Sequence, residues 1–65
     1  MPYIQLELGH VTHDQKEKLI AEVTRVSSEI LNIDKNSFYV LIKENDAENW
    51  GIGGLPLPQY LASKK

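Results

Sequence analysis

The sequence contains no cysteine, and this absence removes two of the ways in which a short chain is stabilised. A chain of 65 residues encloses only a small core, so proteins of this length usually rely on disulfides, a bound metal or a partner subunit. Without cysteine there is neither a disulfide framework nor a thiolate metal site. The two histidines, His10 and His13, have no third ligand in view, so no metal site is predicted. Self-association is the route to stability that remains.

Positive charge and long apolar runs are also scarce. The formal net charge is -2 and Arg25 is the single arginine, so the clustered positive charge that phosphate binding needs is missing. No apolar run approaches the ~20 residues of a membrane span, and the N-terminus lacks the charged start and apolar middle of a signal peptide. We therefore expect a soluble, cytoplasmic protein that binds neither nucleic acid nor membranes.

The patterns that are present predict a strand, a helix and a second strand. Apolar and polar residues alternate from Tyr3 to about Leu8, which is the period of a half-buried strand. Thr12 and Gln15 have the spacing of a capping box, which predicts the start of a helix, and Asn32 suits a left-handed C-cap. The run from Phe38 to about Lys43 is apolar at its start on both faces, which is typical of a strand buried from two sides.

This order of elements predicts a right-handed β-α-β unit with parallel strands, an α+β fold. A single helix covers one face of the sheet, so we expect sheets from several subunits to pack together through the other face. The chain is interpreted as one domain, residues 1–65, in which residues 1–54 form the β-α-β core and a short hairpin near Trp50. Residues 55–65 are predicted to form a proline-stiffened arm that lies over a neighbouring protomer. The alternative for this segment is a proline-rich ligand for another domain.

Pro2 follows Met1 and leads directly into the first strand. Removal of Met1, a step favoured by a small next residue, would leave Pro2 as a secondary amine held at the edge of the sheet. An α-amino group titrates near pH ~8, and an apolar pocket lowers its pKa toward the range of a general base. The alternative is that proline at this position reflects only efficient removal of Met1.

Together these features resemble the small-subunit 4-oxalocrotonate tautomerases over nearly the whole chain to Gly54. The matching segments are Pro2, Asp14-Gln15-Lys16-Glu17-Lys18-Leu19-Ile20, Phe38-Tyr39-Val40-Leu41-Ile42 and Glu48-Asn49-Trp50-Gly51-Ile52-Gly53-Gly54. The resemblance implies a β-α-β protomer that dimerises through its sheets and often forms a homo-hexamer, a trimer of dimers. It also implies an isomerase that needs no cofactor, in which the proline nitrogen takes a proton from an enol and returns it to carbon.

The resemblance assigns Pro2 as the catalytic base and then acid on a small enol or 2-oxo acid such as 2-hydroxymuconate, and Trp50 as an aromatic wall of the pocket. The best-known members hold carboxylates with two arginines, and both are absent here. The region after the first strand contains His10, and the second-strand position is Tyr39. Neither imidazole nor phenol reproduces a bidentate arginine, so we expect poor turnover of dicarboxylate dienols. We expect Tyr39 to donate a hydrogen bond to a substrate oxygen, and His10 or a backbone amide near it to receive a carboxylate.

Several alternatives remain open at this level. Tyr39 as sheet packing, Trp50 as an interface aromatic and His10 as a solvated loop residue are the structural interpretations, and Lys43 is a further candidate cation. A second enzymatic function is hydration or dehalogenation of an unsaturated acid, although no water-activating carboxylate is evident. A third hypothesis is a non-catalytic assembly or binding protein that kept the fold, which would tolerate replacement of Pro2.

Overall fold

The computed structural model describes residues 1–63, and its elements follow the predicted order. The first three are β1 (Tyr3–Leu8), α1 (His13–Leu31) and β2 (Tyr39–Glu44). The strands pair in parallel, with Tyr3 opposite Tyr39 and Leu8 opposite Glu44, and α1 packs against β2. The predicted α+β fold with a parallel β-α-β unit is therefore confirmed.

Both ends of α1 lie where the sequence predicts them. The backbone N–H of Gln15 donates to Thr12 Oγ1 at 3.1 Å, and the backbone N–H of Thr12 donates to Gln15 Oε1 at 2.9 Å. This reciprocal capping box satisfies two backbone donors that would otherwise be unpaired at the start of the helix. At the other end Asn32 adopts φ 56° and ψ 45°, and its N–H donates to the carbonyl of Ser28. Asparagine tolerates this left-handed conformation better than most residues, so α1 ends there.

One face of the β1–β2 sheet is open to solvent in the protomer. Along both strands half-buried residues alternate with exposed ones. Among the exposed residues of this open face, Tyr39 keeps 58% and Leu41 43% of its surface accessible. A single helix can cover only one face, so the two-sided burial predicted for β2 is not reached within one protomer. The prediction that sheets of different subunits cover one another rests on this open face.

The protomer by itself has no enclosed hydrophobic core. No residue between positions 1 and 63 is buried from solvent in the single chain. Its accessible surface is 5232 Å², whereas a monomeric protein of 7.4 kDa exposes about 4,200 Å². Its radius of gyration is 15.7 Å, against about 11 Å for a compact domain of this length. Apolar surface that a monomer would bury therefore remains exposed, and subunit packing stays the physical prediction for how it is covered.

A small C-terminal unit, Ala47–Ser63, follows β2. Strands β3 (Gly51–Ile52) and β4 (Leu55–Pro56) pair antiparallel around a two-residue turn. The turn residues Gly53 and Gly54 have φ of 60° and 85°, the left-handed values that a tight hairpin demands and that glycine adopts without steric cost. The predicted hairpin is thus confirmed.

The extended conformation predicted for the C-terminal arm is wrong for residues 55–63. Leu55 and Pro56 complete the hairpin, and Leu57–Ser63 form a second helix, α2, instead of an extended arm. Pro58 is the second residue of α2, and proline is tolerated in a first turn because the N–H groups there have no intrahelical partner. The end of the predicted arm, residues 64 and 65, lies outside the described residues. Neither α1 nor α2 has the length and apolar composition to cross a membrane.

The main packing of the C-terminal unit is internal. Helix α2 packs against β3, β4 and the 3-10 turn Ala47–Asn49, and the N–H of Leu57 donates to the carbonyl of Trp50 at 2.8 Å. The link to the β-α-β unit runs through Asn45, whose N–H donates to the carbonyl of Leu8 at 2.8 Å. The C-terminal unit therefore projects from the end of the sheet instead of folding back over it.

Replacing Thr12 by alanine tests the cap of α1. The variant loses the side-chain acceptor of the capping box, so we expect its free energy of unfolding to fall by about 1 kcal/mol. Thr24→Ala is the control, because it removes the same hydroxyl from the middle of α1, where alanine favours the helix. Urea unfolding followed by circular dichroism, with all proteins at one concentration, measures both. Equal destabilisation by the two changes would contradict a capping role for Thr12.

Candidate active site at the start of the sheet

Pro2 and Tyr39 lie side by side at the start of the parallel sheet. The backbone N–H of Tyr39 donates to the carbonyl of Pro2 at 3.0 Å, extending the β1–β2 ladder by one step. A cavity of about 400 Å³ opens beside them, and we call it the Pro2 pocket. Its lining residues are Met1, Pro2, Ile33, Asn36, Ser37 and Tyr39. The structure thus brings together two of the four site residues that the sequence predicts.

Three residues of the Pro2 pocket, all in the segment before β2, were not predicted from the sequence as site residues. They are Ile33, Asn36 and Ser37. The signal that identifies them is topological. In a parallel pair both strands start at the same edge, so the residues that precede β2 must lie beside the residue that precedes β1.

The backbone of this segment is held by Asp34, while its side chains are left free. Asp34 Oδ1 accepts the N–H of Asn36 at 2.9 Å, and the Asp34 carbonyl accepts the N–H of Ser37 at 2.9 Å, closing the 3-10 turn Lys35–Ser37. Within the described part of the chain the side-chain amide of Asn36 and the hydroxyls of Ser37 and Tyr39 have no hydrogen-bond partner. The Pro2 pocket therefore offers three uncharged polar groups that are available to a ligand.

Met1 is part of the same pocket and controls its chemistry. Met1 is 90% exposed and lines the cavity beside Pro2. While Met1 is attached, the Pro2 nitrogen belongs to an amide and has no basic lone pair. Removal of Met1 would convert that nitrogen into a secondary amine inside a half-buried pocket.

His10 and Trp50 lie away from the Pro2 pocket of their own chain. Both follow the far ends of the strands, and β2 alone spans about 17 Å at the usual rise per residue. Trp50 belongs to the projecting C-terminal unit and keeps 40% of its surface exposed. Lys43 also lies near the far end, opposite Glu7 in the β1–β2 register. Any role of His10 or Trp50 beside Pro2 therefore requires a second subunit, and both assignments stay predictions.

His10 instead contacts one residue at the end of β2 and one residue that directly precedes the C-terminal unit. Its Nε2 contacts Asp46 Oδ1, and its Nδ1 lies 3.6 Å from Glu44 Oε2. The hydrogen bond and charge of Asp46, followed by those of Glu44, raise the pKa of the His10 imidazole above its ordinary value of 6.5. Histidine is therefore held toward its charged form here. In the single chain the imidazole of His10 is thus already paired with protein carboxylates.

Glu44 also contacts Lys16 and the backbone of Val11. Lys16 Nζ lies 2.7 Å from Glu44 Oε1, and the backbone N–H of Val11 donates to Glu44 Oε2 at 3.0 Å. The Lys16 hydrogen bond, then the Val11 hydrogen bond, lower the pKa of Glu44 to about 2. We name His10, Lys16, Glu44 and Asp46 the far-end cluster. It ties the loop after β1, the first turns of α1 and the end of β2 together.

The single arginine, Arg25, is paired with glutamates on α1 and does not line the Pro2 pocket. Arg25 lies on α1, where its guanidinium contacts Glu22 Oε1 at 2.9 Å and Glu29 Oε2 at 3.3 Å. The pairing with Glu22, then with Glu29, raises the pKa of Arg25. Among residues 1–63 no three histidine, aspartate or glutamate side chains come together in a way that could hold a metal ion.

These observations define a class of protein: a small β-α-β protomer whose second residue, a proline, lines a pocket at the start of its parallel sheet. The comparison with known families agrees with that description. The model of the family described as "Tautomerase enzyme" matches residues 2–59. The chain belongs to this family, and within it to the 4-oxalocrotonate tautomerases, which are isomerases.

Individual relatives support the assignment. A probable tautomerase from Helicobacter pylori is 40% identical over 58 residues, covering 83% of this chain and 85% of the relative. The crystal structure of DmpI from Helicobacter pylori superposes with a TM-score of 0.81 at 34% identity, covering 89% and 98% of the two chains. TomN, a 4-oxalocrotonate tautomerase homologue in the tomaymycin biosynthetic pathway, superposes at 0.90 with 23% identity, covering 98% and 100%, and supports the fold alone.

The far-end cluster predicts a pH dependence. Because the pKa of His10 is raised, its contribution to stability is fully present below pH 6.5 and is lost as the pH rises through the raised value. Because the pKa of Glu44 is lowered, its contribution is present above pH 4.5 and is lost as the pH falls toward 2. We therefore expect the cluster to stabilise the fold most between pH 4.5 and 6.5.

An NMR titration of His10 measures the raised pKa on which this pH dependence rests. In Asp46→Asn the midpoint should fall toward 6.5, because the largest cause of the shift is removed. Glu48→Gln is the matched control, since Glu48 is a carboxylate of the same segment that makes no hydrogen bond or ion pair with His10 among residues 1–63. A His10 midpoint that does not change in Asp46→Asn would show that Asp46 does not hold the imidazole in its charged form.

Proposed function

We propose that the protein is a cofactor-independent tautomerase that moves a proton between oxygen and carbon of a small enol or 2-oxo acid, with the Pro2 amine as base and then acid. The observation that carries the proposal is the half-buried Pro2 beside the free Tyr39 hydroxyl in the Pro2 pocket. Membership of the tautomerase family supports it.

The proposed reaction needs one base and one hydrogen-bond donor. After removal of Met1 the Pro2 nitrogen takes the proton of the enol O–H, and the electrons of that bond form the carbonyl. The carbon–carbon double bond then opens toward the proton that Pro2 holds, which forms the new C–H bond and restores the free amine. Tyr39 donates to the oxygen on which charge develops between these steps. The partly apolar surroundings lower the pKa of the Pro2 ammonium and thereby favour the basic form.

We further propose that the active protein is a homo-oligomer, a dimer or a hexamer of three dimers, whose sites are shared between subunits. Trp50 projects on the C-terminal unit, away from the Pro2 pocket of its own chain. In the oligomer the C-terminal unit of one protomer covers the Pro2 pocket of another, and Trp50 supplies its aromatic wall. This arrangement also gives the open sheet face and the exposed C-terminal unit a surface to pack against.

Two other functions compete with the proposal. Hydration or dehalogenation of an unsaturated acid needs a group that activates water, and the residues that line the Pro2 pocket include no carboxylate. A non-catalytic binding protein with the same fold would not depend on the Pro2 amine. The first experiment therefore addresses that amine.

We expect Pro2→Ala to lower kcat/KM for enol ketonisation by roughly 10²-fold, because a positioned general base contributes at least that factor. The assay follows enol absorbance with 2-hydroxymuconate and phenylenolpyruvate on protein shown by mass spectrometry to lack Met1. A second variant places Gly-Ser before Pro2, which keeps every side chain of the pocket but turns the basic nitrogen into an amide. Activity that survives in both variants would support the binding-protein alternative.

Subunit mixing tests whether the site is shared. Pro2→Ala and Trp50→Ala proteins are each expected to be weakly active, and unfolding and reassembling them together creates sites with an intact Pro2 and an intact Trp50 from different chains. If pairing is random, recovered activity should reach roughly a quarter of the wild-type value. Light scattering on the same samples should give a multiple of the 7.4 kDa protomer mass. No recovery in a mixed oligomer would contradict a site shared between subunits.

A further inference from the structure

The Pro2 pocket contains a polar group that neither the sequence patterns nor the family comparison assigns: the side-chain amide of Asn36. The backbone of Asn36 is fixed, because its N–H donates to Asp34 Oδ1 at 2.9 Å within a 3-10 turn. Its side chain has no partner among residues 1–63. Two amides at other positions are hydrogen-bonded, since Gln15 caps α1 and Asn45 donates to Glu7 Oε1 at 3.4 Å. Asn36 thus presents an unused donor and acceptor from a fixed backbone.

The charge around this amide is the second observation. None of the six residues that line the Pro2 pocket has a charged side chain. Lys16 and His10 are paired in the far-end cluster, and Arg25 is paired with Glu22 and Glu29 on α1. The nearest cation along the chain, Lys35, lines a different groove on the α1 side. Within one protomer the side chains that line the pocket are therefore polar or apolar and carry no charge.

We infer that Asn36 is a specificity-determining residue that orients the substrate through its uncharged amide, and that the site takes an enol with a single carboxylate. This inference rests on the proposed function and names its substrate class. The amide donates to one substrate oxygen while Tyr39 donates to the oxygen that carries the developing charge. The hydrocarbon or aryl part of the substrate lies against Ile33 and the space that Met1 vacates.

The physical argument concerns the second carboxylate of a diacid. A carboxylate that leaves water for a partly apolar pocket needs charge-assisted hydrogen bonds to offset its lost hydration, and those bonds are about twice as strong as neutral ones. Amide, hydroxyl and phenol groups supply only neutral donors. Together they can hold one carboxylate, whereas the lining that one protomer provides contains no cation for a second. A monoacid should therefore be preferred over a diacid of similar size.

The test compares kcat/KM for phenylenolpyruvate, a monoacid, with that for 2-hydroxymuconate, a diacid, on protein that lacks Met1. We expect the monoacid to be favoured by tenfold or more. Asn36→Leu, close in shape but without donors, should raise KM for the monoacid about tenfold with a smaller change in kcat, as the loss of a hydrogen bond to a charged group predicts. Asn36→Lys should raise kcat/KM for the diacid at least fivefold, because it adds the missing cation.

Two controls make the outcomes unambiguous. Lys35→Gln removes the neighbouring cation, and both substrates should be turned over as by wild type; a selective loss with the diacid would overturn the inference. Asn36→Asp keeps the shape of the side chain and should raise KM for the monoacid by charge repulsion, which a purely structural role would not cause. If Pro2→Ala abolishes activity but the diacid is preferred, only the inference on Asn36 fails. If Pro2→Ala equals wild type, the proposed function itself fails.

Discussion

The parallel pairing of β1 with β2 is the interaction on which the rest of this structure depends. Parallel strands start at the same edge, so Pro2 and Tyr39 are neighbours and the turn before β2 lies beside the N-terminus. The connection between the strands must cross the sheet, which gives α1 its place on one face. The opposite face stays open, and the chain leaves β2 at the end remote from Pro2. The candidate site, the exposed face and the projecting C-terminal unit all follow from this pairing.

The two ends of the sheet differ in charge, because one is lined by uncharged side chains and the other by paired charged ones. At the start, the Pro2 pocket holds amide, hydroxyl and phenol groups and no charged side chain. At the far end, His10, Lys16, Glu44 and Asp46 pair with one another, and the pairing moves the pKa values of His10 and Glu44 in the directions that keep both charged. If Met1 is removed as proposed, this separation leaves the amine of Pro2 without a carboxylate among the lining side chains that would raise its pKa. An amine in such surroundings is suited to act as a base near neutral pH.

The surface and shape of the protomer are the physical basis of the proposed homo-oligomer. Its surface is larger and its shape more extended than a monomer of its size would have, and no residue described by the structure is fully buried. In the proposed homo-oligomer, a chain without disulfides would gain stability by burying apolar surface against another chain. In that view folding and the completion of the site are linked, because the same contacts that bury Leu41 and Trp50 would also enclose Pro2.

The sequence by itself determined the local structure, because capping residues, strand alternation and glycines act over a few positions. The ends of α1, the strands and the Gly53-Gly54 turn were therefore predictable. It did not predict α2, because two prolines indicated an extended arm whereas a first helical turn tolerates Pro58. Only the tertiary structure decided which residues meet. Strand pairing brings Asn36 beside Pro2 across the 33 positions between them, and it brings His10 beside Asp46 in the same way. Neither proximity has a signal in the local sequence pattern.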